Sequence, residues 1–538
     1  MSVPLGSWPA IHALRFPEST ALIDADTGAA LTHAELDALT TALAAGLRSK
    51  GVLPGDRVAL LALNSVEMLA LIVATARAGA IGVLINFRLT AEEVRYILSD
   101  SGAVLLFASS SLMDVADAAQ PDTGVREVIA LPTAVQRSRG QRTGYHELVD
   151  AGSATAASTG SESPEVDPDS LALLMYTSGT TGQPKGAIIT HANLFWASIL
   201  HNYNDGGFDR SDVCLASAPL FHIGALAVNT IAALYWGASS VVMESFDPGR
   251  WAHLVEHYKV TRAFNVPVMW GAILSSGALD RHTTSTLRAS MSGGAACPIT
   301  IIEALRDKGL SFSEGYGLTE TTAGAAILAA ADVVDHAGSI GRPCMHVDAA
   351  IVDPLGEPVP VGQVGELAMR GPNISPGYWR RPEATAEAFR DGWFYSGDLA
   401  TVDEDGYYRI VDRKKDMVIT GGENVYPTEI EQVLYRHPRV SEASVYGLPD
   451  EQWGEAVTAA VVVNDGEGSA EGPGELVDEA DRAALAEELR AFARERLAGF
   501  KIPKRFVFLP ALPRTATGKV RKVELRRAGG GTGSAVQR

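Results

Sequence analysis

Apolar and polar positions follow two textures along the chain. From Met68 to Ile85 an apolar stretch interrupted by Arg77 and Gly79 reads as a buried helix turning into a strand, not as a membrane span. Leu171 to Tyr176 is a short continuous apolar run, as in strands buried on both faces, and Thr177 to Pro184 after it is all turn chemistry. Strand-like runs at Ser240 to Met243 and Leu287 to Ser290 alternate with helix-like stretches at Pro248 to Val260 and Pro298 to Lys308. That alternation predicts an α/β body.

From about Tyr407 the units shorten. Two strand-like runs surround Tyr408 and Met417, a helix opens at Pro427, further strands are expected near Ala443 and Val461, and an amphipathic helix runs from about Asp481 to Leu497. This texture predicts a small α+β domain. Ala151 to Ser170, rich in small and acidic residues with Pro164 and Pro168, reads as an exposed connector, and Asn464 to Glu475 as a surface loop.

A chain of 538 residues exceeds what one hydrophobic core usually supports, so a large layered body and a smaller domain are expected. Hydrophobic residues make 46% and charged residues 20%, which argues against global disorder. The formal charge of -19 disfavours nucleic acid and anionic membrane surfaces as partners, so an anionic ligand needs a local pocket. Cys214, Cys297 and Cys344 are far apart and form no CxxC pair, which suggests neither a disulfide framework nor a zinc cluster. With Pro4, Gly6 and Pro9 breaking the first residues, a signal peptide is not expected and a cytoplasmic location is.

The most informative stretch is Tyr176-Thr177-Ser178-Gly179-Thr180-Thr181-Gly182-Gln-Pro-Lys185-Gly186. Its glycines let backbone N–H groups approach an anion, four hydroxyls add donors and Lys185 adds a point charge, which together suit a polyphosphate. A plain hairpin turn between buried strands needs neither the hydroxyls nor the lysine. The stretch is not the P-loop of NTPases, because Lys185 follows Pro184 and precedes Gly186 instead of opening a helix after Gly-Lys-Ser/Thr.

Six segments in order resemble the superfamily of adenylate-forming enzymes, which includes acyl-CoA synthetases, luciferases and nonribosomal adenylation domains. They are the loop above, Pro219 to Gly224, Tyr316-Gly-Leu-Thr-Glu320, Tyr395-Ser-Gly-Asp398, Asp412 to Pro427, and Pro513 to Lys519. Bacterial fatty-acyl-CoA synthetases are the nearest resemblance. It implies a body of layered α/β subdomains over 1–412, a hinge over 413–416, a mobile α+β domain over 417–527 and a disordered tail over 528–538.

The resemblance also implies roles. Glu320 would hold Mg²⁺, Thr319 would touch the phosphates, and Lys519 would bridge the reacting carboxylate and the α-phosphate of ATP. Asp398 would accept both ribose hydroxyls with Arg413 assisting, while Tyr316 lies against adenine opposite the backbone at Gly294 and Ala295. The pivot falls on Lys415. Gly421 and Gly422 would line the tunnel for the pantetheine thiol of coenzyme A, with His222 as a gate. Because Lys519 and the glycine pair serve successive steps at one centre, the small domain is expected to rotate between them.

The acyl pocket is expected from Ile223, Gly224, Val266, Val268, Met269, Ala323 and Gly324, which are small or apolar, and no Asp stands ready for an α-amine. An apolar fatty, alicyclic or polycyclic acid follows, joined to coenzyme A. An aryl-CoA ligase and an amide-forming ligase are alternatives, the latter told apart by product analysis with amine acceptors. Oxygen consumption would reveal a luciferase-like activity, and absence of ATP–pyrophosphate exchange a catalytically dead binding protein. A homodimer is left open.

Overall fold

The computed structural model describes residues 3–159, 164–177, 183–202, 207–463, 479–514 and 520–529. The chain forms two compact units, Met1–Ala350 with Ala368–Tyr395 and Asp403–Arg409, and Ile351–Leu367 with Ser396–Val402 and Ile410–Arg538.

The first unit is built on two sheets. In one, the strands Glu127–Leu131, Ala103–Ser109, Arg57–Leu61, Ile81–Ile85 and Leu171–Thr177 lie side by side and parallel, and Lys185–Thr190 closes the edge antiparallel. The other runs Arg342–Pro343, Ala326–Leu328, Phe312–Tyr316, Ala289–Gly293, Arg262–Asn265, Val213–Ala216, Ser239–Val242, Thr20–Asp24 and Ala30–Thr32, parallel except at its margins. Parallel strands need both faces covered, which is why their residues are apolar runs: all five residues of Ile81–Ile85 are buried. The stretch from Met68 to Ile85 folds as read, into the helix Val66–Arg77 and this strand.

One sequence expectation fails here. Much of the proposed connector from Ala151 is the second half of a helix, Gly144–Thr159, packed on the helix His33–Ser49. The small residues that looked like linker composition serve close approach instead. A Cβ on Gly152 would lie 1.9 Å from Ala42 O, and one on Gly46 2.6 Å from Leu148 O. The strand expected at Leu287 to Ser290 also begins later than read, at Ala289–Gly293.

In the second unit the strands Glu423–Val425, Val418–Thr420, Gly454–Val463 and Val440–Asp450 form a sheet extended by Arg505–Phe508. The helices Pro427–Leu434 and Glu479–Arg494 supply Ile430, Leu434, Leu485 and Leu489 to a core shared with Val418, Val445, Val457 and Val461. Pro427 stands at the first helical turn, where its missing N–H costs nothing. The expected loop from Asn464 to Glu475 and residues 530–538 of the expected tail lie outside the described residues. Among the described residues, no helix is long and apolar enough to cross a membrane.

Candidate active site

The glycine- and hydroxyl-rich loop joins two antiparallel strands, with Thr177 opposite Lys185 and Tyr176 opposite Gly186. Ser178, Gly179, Thr180, Thr181 and Gly182 lie outside the described residues, but both ends of the loop are fixed. Tyr176 Oη donates to Asp100 Oδ2 at 2.7 Å, and Arg381 pairs with the other Asp100 oxygen at 2.5 Å. On the far side Tyr96 Oη donates to Pro184 O at 3.0 Å. The segment Gly377–Trp379 pairs along the second strand, Trp379 N donating to Gly186 O at 2.8 Å and Ile188 N to Gly377 O at 3.0 Å. Gly186 eases this approach, since a Cβ there would lie 3.2 Å from Tyr176 Cζ and the ring would have to give way slightly.

Glu320 lies in the short turn Thr319–Thr321 after the strand Phe312–Tyr316. It is a buried carboxylate whose Oε1 accepts the Tyr378 hydroxyl at 2.7 Å, and its backbone O accepts from Ser375 N at 2.7 Å. Burial and then the Glu320 charge push the Tyr378 phenol far up, so it stays a donor. Lys185 Nζ stands 5.3 Å from the centre of the same ring. Tyr378 therefore ties the loop's lysine to the carboxylate expected to hold magnesium. An anionic oxygen pre-set by a hydroxyl suits a hard cation. Among the described residues no cluster of three or more His, Cys, Asp or Glu could hold a metal ion.

The backbone beyond Glu320 is strained. Thr322 and Ala323 have φ of 48° and 70°, the left-handed region that non-glycine residues enter at a cost of about 1 kcal/mol or more each. Buried Asn373 holds them there. Its Nδ2 donates to Thr321 O at 2.7 Å and Gly324 O at 2.5 Å, while Thr322 Oγ1 donates to Asn373 O at 2.8 Å.

The loop Gly294–Ala296 is exposed after the strand Ala289–Gly293, with Gly294 at φ 82°. Glu314 anchors the loop's end, its Oε2 accepting from Cys297 N at 3.2 Å. Burial raises this carboxyl to about 7, and burial and then Glu314 raise the Cys297 thiol to about 12. Tyr316 is half-buried two residues beyond Glu314.

Phe264, a buried aromatic that the sequence does not single out, shares the core with the expected acyl residues Ile223, Val266, Met269 and Ala323. His222 caps the turn Ile223–Ala225, which continues into the π-helical Leu226–Ile231, and its ring centre lies 4.2 Å from that of Phe221. A Cβ on Gly224 would meet Phe264 Cζ at 3.2 Å, and one on Gly293 would meet Phe264 Cε2 at 3.0 Å. Met269 is buried, Val266 and Ala323 are half-buried, and Gly324 is buried. Val268 is a correction: it is 75% exposed, because the helix Pro267–Ser275 turns Met269 and Trp270 inward and leaves the residue before them outside.

The second unit holds its own cluster. Asp398 is buried and pairs with Arg413, Nε to Oδ1 at 2.5 Å. Buried Asp412 fixes this strand end, accepting from Arg413 N at 2.7 Å and Thr428 N at 2.8 Å. Lys415 is exposed in a turn closed by Asp416 N and Met417 N on Arg413 O, whereas Lys414 pairs with Glu366 at 2.9 Å. Gly421 and Gly422, at φ 60° and 84°, form the two-residue turn between Val418–Thr420 and Glu423–Val425. A Cβ on Gly421 would meet Trp453 Cε3 at 3.1 Å, and one on Gly422 nothing within 4 Å. Lys519 lies outside the described residues.

The sequence matches the AMP-binding enzyme family over residues 10–379 and the AMP-binding enzyme C-terminal domain over residues 429–519. It is 42% identical over 525 residues to a feruloyl-CoA synthase from Amycolatopsis sp, covering 97% of this chain and 98% of that protein. It is 35% identical over 521 residues to the long-chain-fatty-acid–CoA ligase FadD13 from Mycobacterium tuberculosis, covering 95% of each. The solved structure of O-succinylbenzoate coenzyme A synthetase from Bacillus subtilis, in complex with ATP and magnesium ion, superposes with a TM-score of 0.81 at 29% identity, covering 98% of this chain and 99% of that one.

Proposed function

Since the chain belongs to the AMP-binding enzyme family and matches both its main part and its C-terminal domain, we propose that it activates an aryl carboxylic acid as the acyl-adenylate and passes the acyl group to coenzyme A. It is an AMP-forming acid–thiol ligase that uses ATP, Mg²⁺ and coenzyme A. The observation that carries the aryl reading is the buried ring of Phe264, against which Gly224 and Gly293 pack without side chains, an aromatic wall among the expected acyl residues. The 42% identity to a feruloyl-CoA synthase supports it. A fatty acid is the second reading, supported by the 35% identity to FadD13.

In the first step a carboxylate oxygen attacks the α-phosphorus, the bond to the β-phosphate oxygen breaks and pyrophosphate leaves. Lys185 and the loop hydroxyls hold the phosphates, Thr319 contacts them, and Lys519 brings a cation to the reacting oxygens. Glu320, oriented by Tyr378, would hold the Mg²⁺, which when bound neutralises phosphate charge. Asp398 with Arg413 takes the ribose hydroxyls, and Tyr316 with Gly294 and Ala295 encloses adenine. In the second step the thiol sulfur attacks the acyl carbon, the C–O bond to AMP breaks and AMP leaves. His222 gates the thiol, and Gly421 and Gly422 border its path. Because Lys519 and this glycine pair belong to one part of the chain and act in succession, that part alternates about Lys415 between the steps.

The deciding experiment measures pyrophosphate release across aryl, fatty and polycyclic acids, with and without coenzyme A, and identifies the products. Thioester formation on aryl acids is expected. Release that never yields a thioester, or that occurs only with aliphatic acids, would sink this reading.

A further inference from the structure

Phe264 lies opposite Met291, and Gly293 opposite Gly315, in the parallel strands beneath the acyl residues. Alternate strand residues share a face, so Arg262 and Phe264, and Ala289, Met291 and Gly293, look the same way. The helix His191–Asn202 and the π-helical Leu226–Ile231 meet that face around a cavity of about 10 Å³, lined by His201, Val228, Asn229, Arg262, Ala289 and Met291 among others. Four residues separate Gly293 from Ala289, a descent of about 13 Å at strand rise. The Ala289 side of the cavity thus lies toward the strand starts, away from Gly293 and the exposed loop Gly294–Ala296 that follows it, and its volume is the least that admits one water-sized oxygen.

Its polar walls are satisfied except at one place. Asn229, with its amide oriented to suit its neighbours, donates to Val228 O at 3.2 Å and accepts from Phe264 N at 3.1 Å. Arg262 pairs with Asp212 at 3.1 Å. His201 is 4% exposed, and among the described residues neither Nδ1 nor Nε2 has a hydrogen-bond partner. Leaving such a group unpaired costs about 1–3 kcal/mol. The ring lies beside the expected acyl residue Gly324, where a Cβ would stand in ordinary contact at 3.4 Å from His201 Cε1 and 3.5 Å from Nε2.

We propose that His201 is a specificity-determining residue, which receives a hydroxyl carried by the acid at the end remote from its carboxylate. Burial lowers the imidazole to about 4, so at neutral pH one nitrogen donates and the other accepts, as a hydroxyl requires. An acid ending in hydrogen or methyl would leave the imidazole unpaired, and sites built to bond a hydroxyl discriminate strongly against analogues lacking it. The proposal rests on the acid–thiol ligase reading above and adds the substituent its acid must carry.

The test compares cinnamic with para-hydroxycinnamic acid, and hexadecanoic with omega-hydroxyhexadecanoic acid, by ATP–pyrophosphate exchange and thioester formation with the full chain. The hydroxylated member of at least one pair is expected to be favoured by about tenfold or more in kcat/KM. His201→Leu should shrink that preference to within about threefold, chiefly by raising KM for the hydroxylated acid, and His201→Gln should keep part of it. Equal turnover of both members of each pair, or a preference that survives His201→Leu, overturns the proposal while leaving the ligase reading intact. Should His201→Leu fail to fold, the wild-type comparison and His201→Gln decide alone. Exchange with none of the four acids would overturn the aryl and fatty readings and this proposal with them.

Discussion

Tyr378 Oη donates to Glu320 Oε1 at 2.7 Å across 58 residues of chain, and the same ring carries Lys185 Nζ 5.3 Å from its centre. A phenol that holds one carboxylate oxygen leaves the other oriented toward a cation. Tyr378→Phe keeps the ring and the lysine contact but frees the carboxylate. The expected result is a roughly tenfold rise in the Mg²⁺ concentration giving half-maximal pyrophosphate exchange, corresponding to about 1.4 kcal/mol, with KM for the acid little changed. Unchanged magnesium dependence would show that the bond only packs the turn.

Asn373 holds a turn whose residues Thr322 and Ala323 are in left-handed conformations. Asn373→Leu removes two donated hydrogen bonds from buried carbonyls and is expected to destabilise the fold by about 3 kcal/mol. Ala323→Gly at φ 70° should relieve strain and offset part of that loss in the double variant. Denaturant unfolding of the two single variants and the double decides, and an Asn373→Leu midpoint equal to wild type would remove this residue from the account.

Neither of these two residues was visible in the sequence. The segments carrying Glu320, Asp398 and the glycine-rich loop were legible because unusual residue types cluster within a few positions of one another. Tyr378 acts from 58 residues away through one hydrogen bond and Asn373 from 49–52 residues away through three, and such pairings leave no local pattern. Phe264 was missed for a related reason: in a buried strand it is one apolar residue among others until Gly224 and Gly293 arrive beside it from other elements. The parallel strands were legible because burial on both faces demands unbroken apolar runs. The helix Gly144–Thr159 was not, because the small residues that permit close helix contact at Gly46 and Gly152 are also the residues of linkers.

Buried histidines give the fold a pH dependence. Burial lowers His191 and His201 to about 4, so between 6.5 and 4 the unfolded chain binds protons that the folded chain refuses, and stability falls as pH falls through that window. Glu314, raised by burial to about 7, acts oppositely between about 4.5 and 7. These three groups by themselves contribute a net slope of about 1.4 kcal/mol per pH unit between about 4.5 and 6.5, stability rising with pH, while His12, His33 and His146, lowered by burial, add to it and Glu67 and Glu244, raised by burial, oppose it. Urea unfolding in this range should show it, and His201→Gln should flatten it by a comparable amount. A slope identical in the variant would mean that His201 is not held neutral.

The glycine pair of the second unit separates two roles that one substitution would confuse. Gly421 and Gly422 both need positive φ for a two-residue hairpin turn, so any bulky residue strains the turn whether or not a thiol passes it. Gly421→Leu also collides with Trp453, because even a Cβ lies 3.1 Å from that ring. Gly422 is the sharper probe: a Cβ there meets nothing within 4 Å, and asparagine tolerates φ 84° better than other side chains. Gly422→Asn is therefore expected to melt within a few degrees of wild type and to keep ATP–pyrophosphate exchange. If coenzyme A passes this turn, thioester formation from supplied acyl-adenylate should drop about tenfold or more, corresponding to at least about 1.4 kcal/mol in the second step alone. A variant that melts normally and forms thioester at the wild-type rate would assign both glycines to the hairpin and none to the thiol path.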